Sequence, residues 1–95
     1  MSDKKTSPWF VYIIEADDRS LYTGISTDID RRFREHCDKT VGARYFNGRK
    51  PVEVVYRESG HNRSTASKRE IEIKKLSRRQ KLSLISTQLA NPQQA

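Results

Sequence analysis

A single cysteine in 95 residues, Cys37, excludes an intramolecular disulfide. Cys37, His36 and His61 are too few and too badly spaced to make a zinc site. Nothing approaches the roughly 18 apolar residues a membrane-spanning helix needs. The opening stretch, MSDKKTSPW, lacks the apolar segment of a secretory leader. No internal repeat or low-complexity tract is present. These absences set the expectation of a reduced, cytoplasmic chain that stays off membranes. Acidic charge is also short: 12 Asp and Glu stand against 19 Lys and Arg, a formal charge of +7. Such an excess suits an anionic partner, and nucleic acid is a common one.

Hydrophobic residues make up 34% of the chain and charged residues 33%. That is polar, but the apolar residues fall in periodic runs, which predicts a folded core and not disorder. The expected organisation is a flexible terminus over 1–7, one domain over 8–89 and a flexible tail over 90–95, monomeric by default. WFVYIIEA at 9–16 is apolar on both faces and rich in β-branched and aromatic residues, as in a central strand. DDRS is turn chemistry, and LYTGIS at 21–26 completes a hairpin. Thr27 is the expected N-cap of a helix over about 28–38, with Ile29, Phe33 and Cys37 facing the core and Arg31, Arg34, Glu35 and Asp38 facing water. A connection over 40–51, with one helical turn at Ala43–Phe46, leads to a strand over 52–58. Val52, Val54 and Tyr56 should share one face of that strand. SGHN should be a loop. A second helix should run from Ser64 or Thr65 to about Leu76. The S-x-x-Q box at 77–80 starts a third, over 78–89, with Leu82, Ile85 and Leu89 inward. The fold class is therefore α+β, a three-stranded antiparallel sheet flanked by about three helices.

Two tyrosines, an arginine and a histidine crowd the first hairpin and helix. With a three-residue loop at Asp17–Arg19, Tyr12 opposes Gly24, Ile14 opposes Tyr22, and both tyrosines point the same way. A two- or four-residue loop would separate them. Arg32 and His36 form an i, i+4 pair at the edge of the helix stripe, able to face the sheet rim without being buried. On the second helix Glu70 interrupts the apolar stripe of Ala66, Ile73 and Leu76, while Glu72 lies on the wet side. A carboxylate on a buried face needs a cationic partner, a metal or an opening to water. The basic excess collects at residues 68–81, with seven basic and two acidic residues. Lys68, Arg69, Lys74, Lys75, Arg78, Arg79 and Lys81 form either a solvated helix surface or a grip for phosphates.

The set suits phosphodiester chemistry. A guanidinium stabilises charge on a phosphate in flight. One carboxylate suffices for a Mg²⁺ or Mn²⁺ ion that keeps several waters. A tyrosine accepts a proton only as phenolate, so cations must favour that form, and His36 is a second candidate base.

VYI at 11–13, YTG at 22–24, the helix STDIDRRFREH and the stretch REIEIKKLSRRQK at 69–81 together resemble the GIY-YIG nuclease family, in particular its small stand-alone bacterial members, over about residues 8–85. The resemblance implies a three-stranded antiparallel sheet flanked by helices. It implies hydrolysis of phosphodiesters with one divalent metal, in DNA before RNA, at branched, nicked or damaged structures. Tyr12 and Tyr22 match the motif tyrosines, Gly24 the motif glycine, Arg32 the catalytic arginine and Glu70 the metal-binding glutamate. His36 stands where different branches have Tyr or His. Departures are Phe10 for Gly, Val11 for Ile and Thr23 for Ile. Some members carry a lysine where Ile25 stands, so help from such a cation is absent or comes from Lys74 or Lys81. Larger members add a second DNA-binding domain. Its absence implies weak substrate affinity or a protein partner that supplies targeting. The competing expectation is a nucleic-acid-binding module without hydrolysis, needing no metal and indifferent to Glu70.

Overall fold

The computed structural model describes residues 8–38, 46 and 48–90. Its elements are β1 (Trp9–Ala16), β2 (Leu21–Ser26), α1 (Ile29–Asp38), β3 (Pro51–His61), α2 (Arg63–Lys74) and α3 (Arg78–Ala90). The strands form one antiparallel sheet in the order β2-β1-β3, as expected of the fold class.

β1 takes the centre because it is apolar on both faces. Val11 and Ile13 join a core with Tyr56, Ala66, Ile73 and Ile85, under α2 and α3. Tyr12, Ile14 and Ala16 join a second core with Ile29 and Phe46, under α1. Each large buried side chain contributes about 1.5–3 kcal/mol to this sandwich. The hairpin has its three-residue loop: the Ala16 N–H donates to the Ser20 carbonyl at 2.9 Å, and the Arg19 N–H to the Ala16 carbonyl at 2.9 Å. Tyr12 therefore pairs with Gly24 and Ile14 with Tyr22.

β3 departs from expectation. It runs on through the residues read as a loop, to His61, and carries three register shifts against β1. Each adds one residue to β3, and Gly60, with φ +84°, lies in the first of them. The shift between Ile13 and Ile14 breaks the alternation, so Tyr56 joins the α2 side while Val54 packs on the α1 side. Val52 is exposed. The shared face expected for these three residues is thus lost to a bulge, which periodicity cannot register.

The helices are capped as short polar side chains dictate, with shifts of a residue or two. α1 is capped by Asp28 and not Thr27: its Oδ1 accepts from the Arg31 N–H at 3.0 Å. α2 starts at Arg63, one residue before the expected boundary, because Asn62 and Thr65 form a capping box. The Ser77–Gln80 box forms as read, at 2.9 and 3.2 Å. The inward faces of two helices are rotated from expectation. In α1 Cys37 is exposed and His36 is fully buried, a turn of roughly 50° about the axis. In α3 Ile85 and Leu84 meet the core while Leu82 and Leu89 are exposed. Gln88 sets that rotation by bonding the Arg57 backbone N–H and carbonyl on the edge strand β3. Of the connection at 40–51, only Phe46 and residues 48–51 are described, so the expected turn at Ala43–Phe46 falls largely outside the described residues.

A polar cluster ties β3 to α2. Glu58 accepts from the Tyr56 hydroxyl at 2.8 Å and from Arg69 Nε at 3.1 Å on both oxygens, and meets His61 Nε2 at 2.8 Å. Burial pushes the Glu58 carboxyl up, but His61, Tyr56 and Arg69 outweigh it and hold it below its ordinary value. A depressed folded pKa stabilises fully above the unfolded value, here near 4.5, and the contribution is lost as pH falls through the folded one. Glu58→Gln should cost about 2 kcal/mol at neutral pH. The gap in Tm between wild type and variant should close between about pH 5 and pH 3. Circular-dichroism melts across that range check it, and a gap constant with pH would exclude the linkage.

Candidate active site

The hairpin register places Tyr12 and Tyr22 on one sheet face as diagonal neighbours, ring centroids 6.3 Å apart. Gly24 faces Tyr12 across the strands. A Cβ there would lie 2.6 Å from the Tyr12 hydroxyl oxygen, 2.7 Å from Cζ and 3.1 Å from a Tyr22 ring carbon. The glycine is therefore needed because the phenol of Tyr12 lies over it.

α1 crosses this face and brings in Arg32 and His36, one turn apart. His36 is fully buried, its Nε2 3.3 Å from the Tyr12 hydroxyl. Arg32 lies near enough to the same hydroxyl to pull its pKa down, and donates to Glu35 Oε1 at 3.1 Å. The Arg32 charge nearby favours the phenol oxygen turned toward the guanidinium, so the phenol proton is assigned to His36 Nε2. Nδ1 of His36 has no hydrogen-bond partner among the described residues. Burial, then the Arg32 charge, lower the His36 pKa against the opposing pull of Glu35, keeping the imidazole neutral at neutral pH. Tyr22 packs edge-on against His36 at 5.4 Å and against Phe46 at 5.2 Å, and His36 rests on Phe46 at 4.9 Å.

The two phenols differ. Tyr12 is 1% exposed, and burial with the neighbouring Tyr22 drives its pKa far up, against the pull of Arg32. Tyr22, on the edge strand, is half-buried. Burial and Glu70 raise its pKa while Lys74 and Arg32 lower it. Glu70 thus acts on the tyrosine cluster from α2, which packs against β2 and β1. Its Oε2 pairs with Lys74 Nζ at 3.1 Å, and its side chain is 22% exposed. The carboxylate that interrupts the apolar stripe has both a cationic partner and an opening to water.

Among the described residues no group of three or more His, Cys, Asp or Glu side chains could jointly hold a metal ion. Among the described residues two carboxylates serve the cluster, Glu35, committed to Arg32, and Glu70, which acts on both tyrosines and is the available donor. That fits Mg²⁺ or Mn²⁺, which fill most of their coordination with water and substrate oxygens.

Tyr12, Tyr22, Gly24, Arg32 and His36 thus form one cluster, with Glu70 in electrostatic reach of both tyrosines. The basic stretch is divided. Lys68, Lys75 and Arg79 are exposed, Lys81 is half-buried, and Lys74 is engaged with Glu70. Arg78 donates to the Arg19 carbonyl at 2.6 Å. Arg69 is held by Glu58 and by Glu72 at 3.0 Å. Two members escaped the sequence reading. Glu35 looked solvent-facing, although its i, i+3 spacing from Arg32 marks it as a partner. Phe46 sat in a segment read as a connection, and its aromatic ring was the available signal.

The chain matches the family described as "GIY-YIG catalytic domain" over residues 8–83. It is 53% identical over 77 residues to a UPF0213 protein of Desulfotalea psychrophila, covering 81% of this chain and 70% of that one. It is 49% identical over 75 residues to a UPF0213 protein of Haloquadratum walsbyi, covering 79% and 83%. Among solved structures it resembles the solution NMR structure of a UPF0213 protein from Bacillus halodurans, with TM-score 0.55 and 39% identity over 92% of this chain and 90% of that one.

Proposed function

The chain belongs to the GIY-YIG catalytic-domain family, and from that premise we propose that it is a metal-dependent endonuclease hydrolysing phosphodiester bonds in DNA. The observation that carries this reading is the convergence of a half-buried tyrosine, a guanidinium and the Glu70 carboxylate at one sheet edge. Arg32 faces the scissile phosphate and stabilises charge as it shifts toward the leaving group. Tyr22 orients the attacking water or takes its proton, since Tyr12 is buried and committed to His36. The pair Tyr12–His36 holds the Arg32 guanidinium in place. Glu70 would hold one Mg²⁺ or Mn²⁺. Bound there, the ion supplies a Lewis acid for a phosphoryl oxygen. Lys74 stands where it can release Glu70 and meet a phosphate instead. The exposed Lys68, Lys75 and Arg79 follow the strand backbone, with Arg78 beside them and Lys81 at the margin. The substrate is a branched, nicked or damaged structure in the cytoplasm, as in repair, with a protein partner supplying targeting.

The Glu70–Lys74 ion pair favours a second reading. It satisfies the carboxylate without a metal, as in a nucleic-acid-binding module that does not hydrolyse. The test is cleavage of labelled single-stranded, duplex, flapped, nicked and four-way DNA with Mg²⁺ or Mn²⁺ against EDTA. Glu70→Ala and Tyr22→Phe should each lower the cleavage rate about 10²-fold or more. Tight binding with no cleavage in any arm would establish the binding module.

A further inference from the structure

The tip of the β1–β2 hairpin carries a backbone feature that its sequence does not suit. Arg19 has φ +73° and is the one non-glycine residue with positive φ among the described residues. A three-residue hairpin loop requires the left-handed conformation at its last position, where glycine or asparagine is the ordinary occupant. An arginine there is strained, and strain kept at an exposed tip points to a use for the side chain.

The neighbouring charges say what the use is. Both acids of the loop are turned to internal work. Asp17 accepts from the Lys50 N–H at 3.1 Å. Asp18 accepts from the Ser20 N–H at 3.0 Å, from the Ser20 hydroxyl and from Arg49 Nε at 2.9 Å. The Arg19 side chain is exposed and makes no ion pair among the described residues. Its carbonyl is clamped by the Arg78 guanidinium, 59 residues on, in the first turn of α3. The clamp sets the hairpin tip beside the basic start of α3, where Arg79 is exposed. Arg19 precedes Tyr22 by three residues, about 10 Å along an extended chain.

We propose that the hairpin tip is a phosphate-binding site for a nucleic-acid strand passing the tyrosine cluster, with Arg19 as the contact and Arg78 as the residue that positions it. The proposal rests on the nucleic-acid reading given above and adds a contact that the basic stretch at 68–81 does not contain. It separates backbone fitness from binding. Glycine at position 19 suits the loop better and binds worse.

The experiment is fluorescence anisotropy of a labelled flapped duplex in EDTA across a salt series, with melting temperatures measured in parallel. Arg19→Gly should raise Tm or leave it unchanged while weakening binding about tenfold at 50 mM salt. The slope of log K against log salt should fall by about one. Arg19→Asn should behave alike, and Arg19→Lys should keep most of the affinity. Arg78→Ala should weaken binding and lower Tm together, since the loop loses its clamp. Wild-type affinity and slope in Arg19→Gly would overturn the tip site while leaving the nuclease reading intact. Failure of the wild type to bind any nucleic acid would overturn both.

Discussion

Gly24→Ala should lower the melting temperature by roughly 15 °C and abolish cleavage. The added methyl would stand 2.6 Å from the Tyr12 hydroxyl and 2.7 Å from Cζ. A flexible side chain could swing aside at little cost, but Tyr12 is 1% exposed and bonded to His36. Relieving the clash must move a packed ring or part the strands, about 1–3 kcal/mol for overpacking. Displacing the hydroxyl from His36 adds about 1–3 kcal/mol for buried polar groups left unpaired. A total near 3 kcal/mol corresponds to the stated shift for a domain of this size. Tyr12→Phe removes the nearest atom of the clash and the ring's anchor, so the double variant should lose less than the sum of the singles. Calorimetry of all four proteins checks this. Simple additivity would show that the ring does not obstruct the methyl.

Arg32→Lys should slow cleavage by about 10²–10³ while leaving DNA affinity within a few-fold of wild type. The guanidinium bonds Glu35 at 3.1 Å and acts on the Tyr12 hydroxyl beside it, yet the side chain keeps 28% of its surface open to solvent. An ammonium carries the same charge, but it cannot hold two partners and still present a planar fork to a phosphate. Glu35→Gln should give a smaller loss, because it frees one side of the fork and leaves the charge. Single-turnover rates at saturating metal make the comparison. An unchanged rate in Arg32→Lys would reduce the residue to a helix ion pair worth a few tenths of a kcal/mol.

The buried His36 shows where periodic reading stops. The stripe of Ile29, Phe33 and Cys37 was a sound pattern by hydrophobicity. Tertiary structure turned the helix because the Tyr12 hydroxyl offers His36 a hydrogen bond and Phe46 and Tyr22 offer it ring faces. Cys37 is exposed and faces out. In α3 Gln88 likewise overrode Leu82 and Leu89 by satisfying the edge of β3. Such choices depend on what the facing element presents, and no local window contains it.

By itself, the sequence determined the element order, the central place of β1, the condition that a three-residue hairpin loop puts both tyrosines on one face, and the surplus of positive charge. These follow from short-range rules: side chains alternate along a strand, turn residues mark where a hairpin reverses, and small polar residues cap helices. Only the three-dimensional structure decided the hairpin's three-residue loop and so its register, how far each helix turns about its axis, where β3 bulges, and which charges neutralise one another. It spent Arg69 on Glu58, paired Lys74 with Glu70, and left Arg19 unpaired among the described residues at a strained tip. The reason is that ion pairs, bulges and helix rotations are settled between residues tens of positions apart. There the energy of one hydrogen bond or one ring contact outweighs a local preference of a few tenths of a kcal/mol.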